Sequence, residues 1–175
     1  MVLRLLEVLG ITHDAPPTSK GTLHARLAAQ LGRLGASRVE ALTAFAGLLA
    51  RAAFGDSNVS PAEKDAMAVC LREQAALRET DAELVADIAC QAAEALNGVE
   101  DYLLTRAFND HAGEAEKCAL LECAYAVAAA DGLITDAEDE EIKRIAKALL
   151  VPRTELLRIR EPYRDRLAVL RDLPG

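Results

Sequence analysis

The stretch Tyr125–Leu149, "YAVAAADGLITDAEDEEIKRIAKAL", decides the fold. An alanine-rich apolar run breaks at Asp131-Gly132, and Thr135-Asp136-Ala137-Glu138 then has the spacing of a capping box that opens a new helix. Behind that box Glu138, Ile142, Ile145 and Leu149 follow steps of four, three and four, the stripe of an amphipathic helix. The stretch therefore reads as helix, turn, helix, with its carboxylates gathered at the joint. Asp136, Asp139, Glu140 and Glu141 read as solvated acids near a helix amino end, where negative charge is favoured by about 0.3–1 kcal/mol each at the surface. Two acids do not fit that account. Asp131 stands at the carboxyl end of the preceding helix, where the macrodipole disfavours an anion, so an Asx-type turn or a cation should compensate. Glu138 lies in line with the apolar stripe, and a carboxylate directed inward must be paired, hydrogen-bonded or metal-bound to remain charged.

The joint occurs twice. "AAFGDSNVSPAEKDAMAVC" aligns without a gap on "AAADGLITDAEDEEIKRI", and the same offset pairs Asp56 with Asp131, Ser60 with Thr135, Glu63 with Glu138 and Met67 with Ile142. Ser60-Pro61-Ala62-Glu63 is again a capping box, with Pro61 at the first helical position, where its missing donor costs nothing. Such internal similarity predicts two related helix–loop–helix units. Across the whole chain apolar residues recur at three and four and alternating β-branched runs are absent, so the fold is all-α. The spacing predicts helices at 2–9, 21–34, 37–54, 61–76, 81–96, 99–108, 114–130, 136–149 and 153–160, and a short one near 164–171. "THDAPPTSKG" (12–21) reads as a loop, Asn97-Gly98 as a helix C-cap, and "NDHAGEA" (109–115) as the link between halves.

With 175 residues the chain can bury a core without disulfides or a structural metal. Hydrophobic residues make up 51 % with no Trp, so the core is built from small aliphatic side chains. A net charge of −8 argues against a nucleic-acid partner, which would require a basic face. Cys70, Cys90, Cys118 and Cys123 lack zinc spacing and read as free, mostly buried thiols. The opening "MVLRLLEVLG" carries Arg4 and Glu7 and does not resemble a signal peptide, and no run approaches the ~18 apolar residues of a spanning helix, so a cytoplasmic protein without membrane insertion is expected. His13, His24 and His111 read as surface residues beside no nucleophile pattern. Phosphate loops and hydrolase motifs are absent, and no enzyme is expected. The arginines after Val151 (Arg153, Arg158, Arg160, Arg164, Arg166, Arg171) read as a solvated helical end or as an intramolecular or partner salt-bridge surface.

The stretch "YAVAAADGLITDAEDEEIKRIAKALLVPRTEL" and, more loosely, "FGDSNVSPAEKDAM" resemble the TerB-like tellurite-resistance family, in which a helix ends in "ADG" and an acidic helix follows. The resemblance spans residues 37–160, with units at about 37–96 and 114–160, an N-terminal helical extension at 1–36 and a C-terminal tail at 161–175. It implies a non-enzymatic helical module of tellurite and stress responses, acting through protein partners, whose acidic residues bind a divalent cation. Position by position those are Asp56, Glu63, Asp131 and Glu138, with calcium or magnesium as the cation. The rival is a purely structural protein–protein interaction domain in which the acids only cap helices. Asp131, Gly132, Ile134 and Glu138 also fall at positions five, six, eight and twelve of an EF-hand loop. Positions one and three would be Val127 and Ala129, without side-chain oxygens, so one loop alone cannot supply the six to eight oxygens calcium takes.

Overall fold

The computed structural model describes residues 22–56, 58–93 and 98–171. The helix expected at 2–9, the 12–21 loop, His13 and the Asn97 cap lie outside them. Among the described residues the chain forms α1 (Thr22–Leu31), α2 (Ala36–Ala53), α3 (Pro61–Ala75), α4 (Glu79–Ala93), α5 (Gly98–His111), α6 (Glu114–Ala128), α7 (Asp136–Ala148), α8 (Arg153–Arg160) and the single turn α9 (Ala168–Arg171). No strand is present among them; one isolated bridge joins Ile134 to Leu167.

Helix α2 is the axis of the bundle. Its Ala- and Leu-rich sequence has high helix propensity and no polar face, and every residue from Ala41 to Ala50 is buried. It packs against each of α1, α3, α4, α5, α6 and α7. Gly47 lets Leu104 of α5 pack directly on its backbone, since a Cβ there would lie 2.7 Å from Leu104 Cδ1. The core is one cluster running from Leu23, Leu27 and Leu31 of α1 to Leu167 in the tail, so the described residues on either side of the 37–160 segment pack into the same interior.

The helical register follows the sequence reading closely. Helices α2 and α6 end, and α3 and α7 begin, at the positions that the internal alignment makes equivalent. The loops between them differ. Phe54–Asp56 forms a 3-10 turn, whereas the second loop turns at Gly132, whose φ of 101° suits a residue without a side chain.

Two expectations are corrected. Helix α5 continues through His111, which shortens the 109–115 link to Ala112 and Gly113. The helix expected at 164–171 is a 3-10 turn over Glu161–Arg166, an extended Leu167 and only then α9. Pro162 explains the tightening at its start, because it cannot donate the hydrogen bond that would carry α8 onward.

Helix α7 closes with Val151 N donating to Ala146 O at 3.0 Å and Leu150 N to Lys147 O at 3.1 Å, which places Leu150 in the left-handed region at φ 60°. A β-carbon there costs about 1–2 kcal/mol, and Leu150 is 81 % exposed, so little packing offsets it. Leu150→Gly is expected to stabilise the fold by about 0.5–1 kcal/mol after the entropy of the more flexible unfolded chain is counted. A urea titration checks this, and a loss of stability would contradict it.

Candidate functional site

The two capping boxes form as the sequence spacing requires. Ser60 Oγ accepts from Glu63 N at 3.2 Å, and Glu63 Oε2 accepts from Ser60 N at 2.6 Å. Thr135 Oγ1 accepts from Glu138 N at 3.2 Å, while Glu138 Oε2 accepts from Thr135 N at 2.8 Å and from the Thr135 hydroxyl at 2.7 Å. Both glutamates are buried, at 3 % and 2 % exposure, in line with Met67 and Cys70 on α3 and with Ile142, Ile145 and Leu149 on α7 and just beyond its end. The inward stripe read from the sequence is therefore the packed face.

Tertiary structure then brings the two boxes together. The side chains of Glu63 and Glu138 meet, although 75 positions of chain register separate the units in which they sit, and burial together with this neighbour pushes the Glu138 carboxyl up to about 8. Each glutamate has Oε2 committed to its own cap. Two carboxylates in contact in a dry interior cannot both remain ionised without a positive partner, so the pair holds either one proton or one cation. Helix α7 reaches this position because Gly55 touches it backbone to backbone: a Cβ at Gly55 would lie 2.8 Å from Glu138 Cα and N.

The other two sequence candidates are placed differently. Asp131 is exposed, and its Oδ1 accepts from Leu133 N at 3.1 Å, the Asx-type turn that offsets its unfavourable position. The carbonyls it faces are relieved as well, since Arg166 Nη1 donates to Ala129 O at 3.1 Å. The tail holds the same loop through Ile134 N donating to Arg166 O at 2.8 Å and Ala168 N to Ile134 O at 2.9 Å. Asp56 ends the 3-10 turn, one residue beyond Gly55; its side chain lies outside the described set. Among the described residues no group of three or more His, Cys, Asp or Glu side chains is arranged to hold a metal ion.

Sequence reading missed three further buried acids, Asp81, Glu116 and Asp139, of which Asp139 is the most enclosed. Asp139 was assigned to the solvated start of α7, yet it is 3 % exposed. Its Oδ1 accepts from Arg160 Nε at 2.8 Å and from Tyr125 Oη at 2.9 Å, and its Oδ2 from Arg160 Nη2 at 2.7 Å, with Lys143 Nζ at 2.8 Å. Burial acts to raise this carboxyl, but the donors from Arg160, Lys143 and Tyr125 outweigh it and hold it below the usual carboxylate range. The signal was present in the spacing, because Asp139, Ile142 and Ala146 follow steps of three and four along the inner face. Arg160 thus belongs to an internal ion pair, as the salt-bridge reading of the tail allowed, and Arg158 also pairs internally with Glu155 at 2.9 Å. His24 on α1 is half-buried rather than fully exposed.

No curated protein and no solved structure matches the chain. The family model described as tellurite resistance protein TerB matches residues 42–161, from the middle of α2 through the buried pair and the Asp139–Arg160 contact to the end of α8. With more than half of its length matched, this all-α chain belongs to the TerB tellurite-resistance family.

Proposed function

We propose that the chain is a non-enzymatic, cytoplasmic stress-response module that works through protein partners and is set by a divalent cation, calcium or magnesium, shared between Glu63 and Glu138. One observation carries this reading: the capping glutamates of two separate loops converge in the interior, where a proton or a cation must join them. The donor set is oxygen only, which suits a hard cation. Two free carboxylate oxygens are fewer than calcium takes, and magnesium, which binds through one or two carboxylates and keeps waters, matches the pair more closely. Asp56 is the next ligand by position, because the residue before it touches the backbone of Glu138. Asp131 supports the site from its turn by holding the loop that leads into the Thr135 cap.

The purely structural alternative has its own support, since each glutamate already completes a cap and a single proton satisfies the pair. Thermal melts separate the two. In chelator, Glu138 carries a proton in the folded state up to about pH 8 and in the unfolded state only up to its ordinary value near 4.5. Stability is therefore expected to be highest below pH 4.5 as far as this group is concerned, and to fall as pH rises through 8. Glu138→Gln keeps the cap and is expected to flatten that dependence. A cation replaces the proton, so added magnesium or calcium should raise the melting temperature of the wild type according to concentration over dissociation constant, more at pH 9 than at pH 6. Glu138→Gln and Glu63→Gln should remove most of that gain. A wild type whose melting temperature is unmoved by either metal at pH 9 leaves only the structural reading.

A further inference from the structure

Cys70 and Cys123 are far apart in sequence, one in each helix–loop–helix unit, and the packing of α3 on α6 brings their thiols into side-chain contact. Both are reduced, and both are nearly but not fully enclosed, at 8 % and 6 % exposure. Tyr163 lies within electrostatic reach of both sulfurs, and its ring stacks on Tyr125 at 5.6 Å, so the C-terminal 3-10 turn sits beside the pair. No part of the caps, the carboxyl pair or the Asp139 network uses these thiols.

We propose that Cys70 and Cys123 form an oxidisable dithiol site, which a peroxide-class oxidant closes to an intramolecular disulfide that ties the first unit to the second. Thiols already in contact need only close to bonding distance, about 2.05 Å between sulfurs. The hydrogen bond from Cys123 holds the Cys70 thiol below its ordinary value, while the same contact and burial push the Cys123 thiol up, so Cys70 is the attacking sulfur. In the first step the Cys70 sulfur takes one peroxide oxygen, giving a sulfenic acid and one water. In the second the Cys123 sulfur attacks that sulfenic sulfur, the S–S bond forms and a second water leaves. Two thiols are oxidised by two electrons and one peroxide is reduced, so no further reactant is required.

The other two cysteines are internal controls. Burial pushes Cys90 up to about 11 and raises Cys118 as well, which lowers the thiolate fraction of both. The test treats the native wild-type protein with hydrogen peroxide and maps its peptides without reduction. A peptide linking Cys70 to Cys123, lost on reduction and formed before Cys90 or Cys118 is modified, is the expected result. In Cys123→Ser, a sulfenic-acid trap such as dimedone should then label Cys70. Recovery of Cys70 and Cys123 unlinked, as free thiols or as separate higher oxidation products, overturns the proposal, as does a linkage between any other pair. The wild-type map decides the question without a substitution, so a variant that folds poorly does not obscure it.

Discussion

Asp139→Ala is expected to destabilise the fold by about 3–5 kcal/mol, the range for removing one partner of a buried ion pair. The magnitude follows from what is left behind. Arg160 would lose both of its hydrogen bonds to the carboxylate, and the Tyr125 hydroxyl, on a side chain that is 0 % exposed, would lose its acceptor. Helix α8 and the 3-10 turn after it would lose the charged anchor that fastens them to α7. Arg160→Ala should cost less, because Lys143 and Tyr125 still face Asp139. In a double-mutant cycle the two changes should be strongly non-additive, since they remove the same contact. Because the Asp139 carboxyl is held below its ordinary range, its contribution is present above about pH 4 and is lost as pH falls through the lower folded value. Urea titrations of the wild type, the two single variants and the double variant measure all of this; a cost under about 1 kcal/mol for Asp139→Ala would mean that the network does not hold the tail.

Gly55→Ala is expected to cost about 2–3 kcal/mol, the upper part of the range for overpacking. The added Cβ would meet Glu138 Cα and N at 2.8 Å and the Ala137 carbonyl carbon at 2.9 Å, and all three are backbone atoms that no rotamer change can move aside. Either the 3-10 turn or the first turn of α7 must shift, and the second choice pulls Glu138 away from Glu63. Gly132→Ala is the informative contrast. Its φ of 101° strains a β-carbon, but nothing lies within 4 Å, so it should cost about 1–2 kcal/mol and leave the carboxyl pair intact. Chemical denaturation, with the pH dependence assigned to Glu138 as a second readout, separates the two: Gly55→Ala should disturb that dependence and Gly132→Ala should preserve it. Equal effects of the two substitutions on both readouts would show that close approach at Gly55 is not what positions α7.

The parts of this protein that sequence alone determined are those held by interactions spanning four residues or fewer. A capping box is a reciprocal pair of hydrogen bonds between positions three apart, so Ser60–Glu63 and Thr135–Glu138 were legible from spacing, and the Asx turn at Asp131 reaches only to Leu133. The inward stripe on α7 was legible for the same reason, because helical periodicity places Glu138, Ile142, Ile145 and Leu149 on one side before any partner is known. What lies on the other side of that stripe was decided only by the packing of helices. Spacing could say that Glu138 needed a partner but not that the partner was Glu63, and it left Asp139 among the solvated acids because Arg160, 21 residues on, arrives from another helix. Cys70 and Cys123 read as two isolated thiols until α3 and α6 were laid together. Local hydrogen bonds fix where each helix begins and which face turns inward, whereas contacts between helices depend on how the whole apolar interior fills around α2, and that filling is a property of all the helices at once.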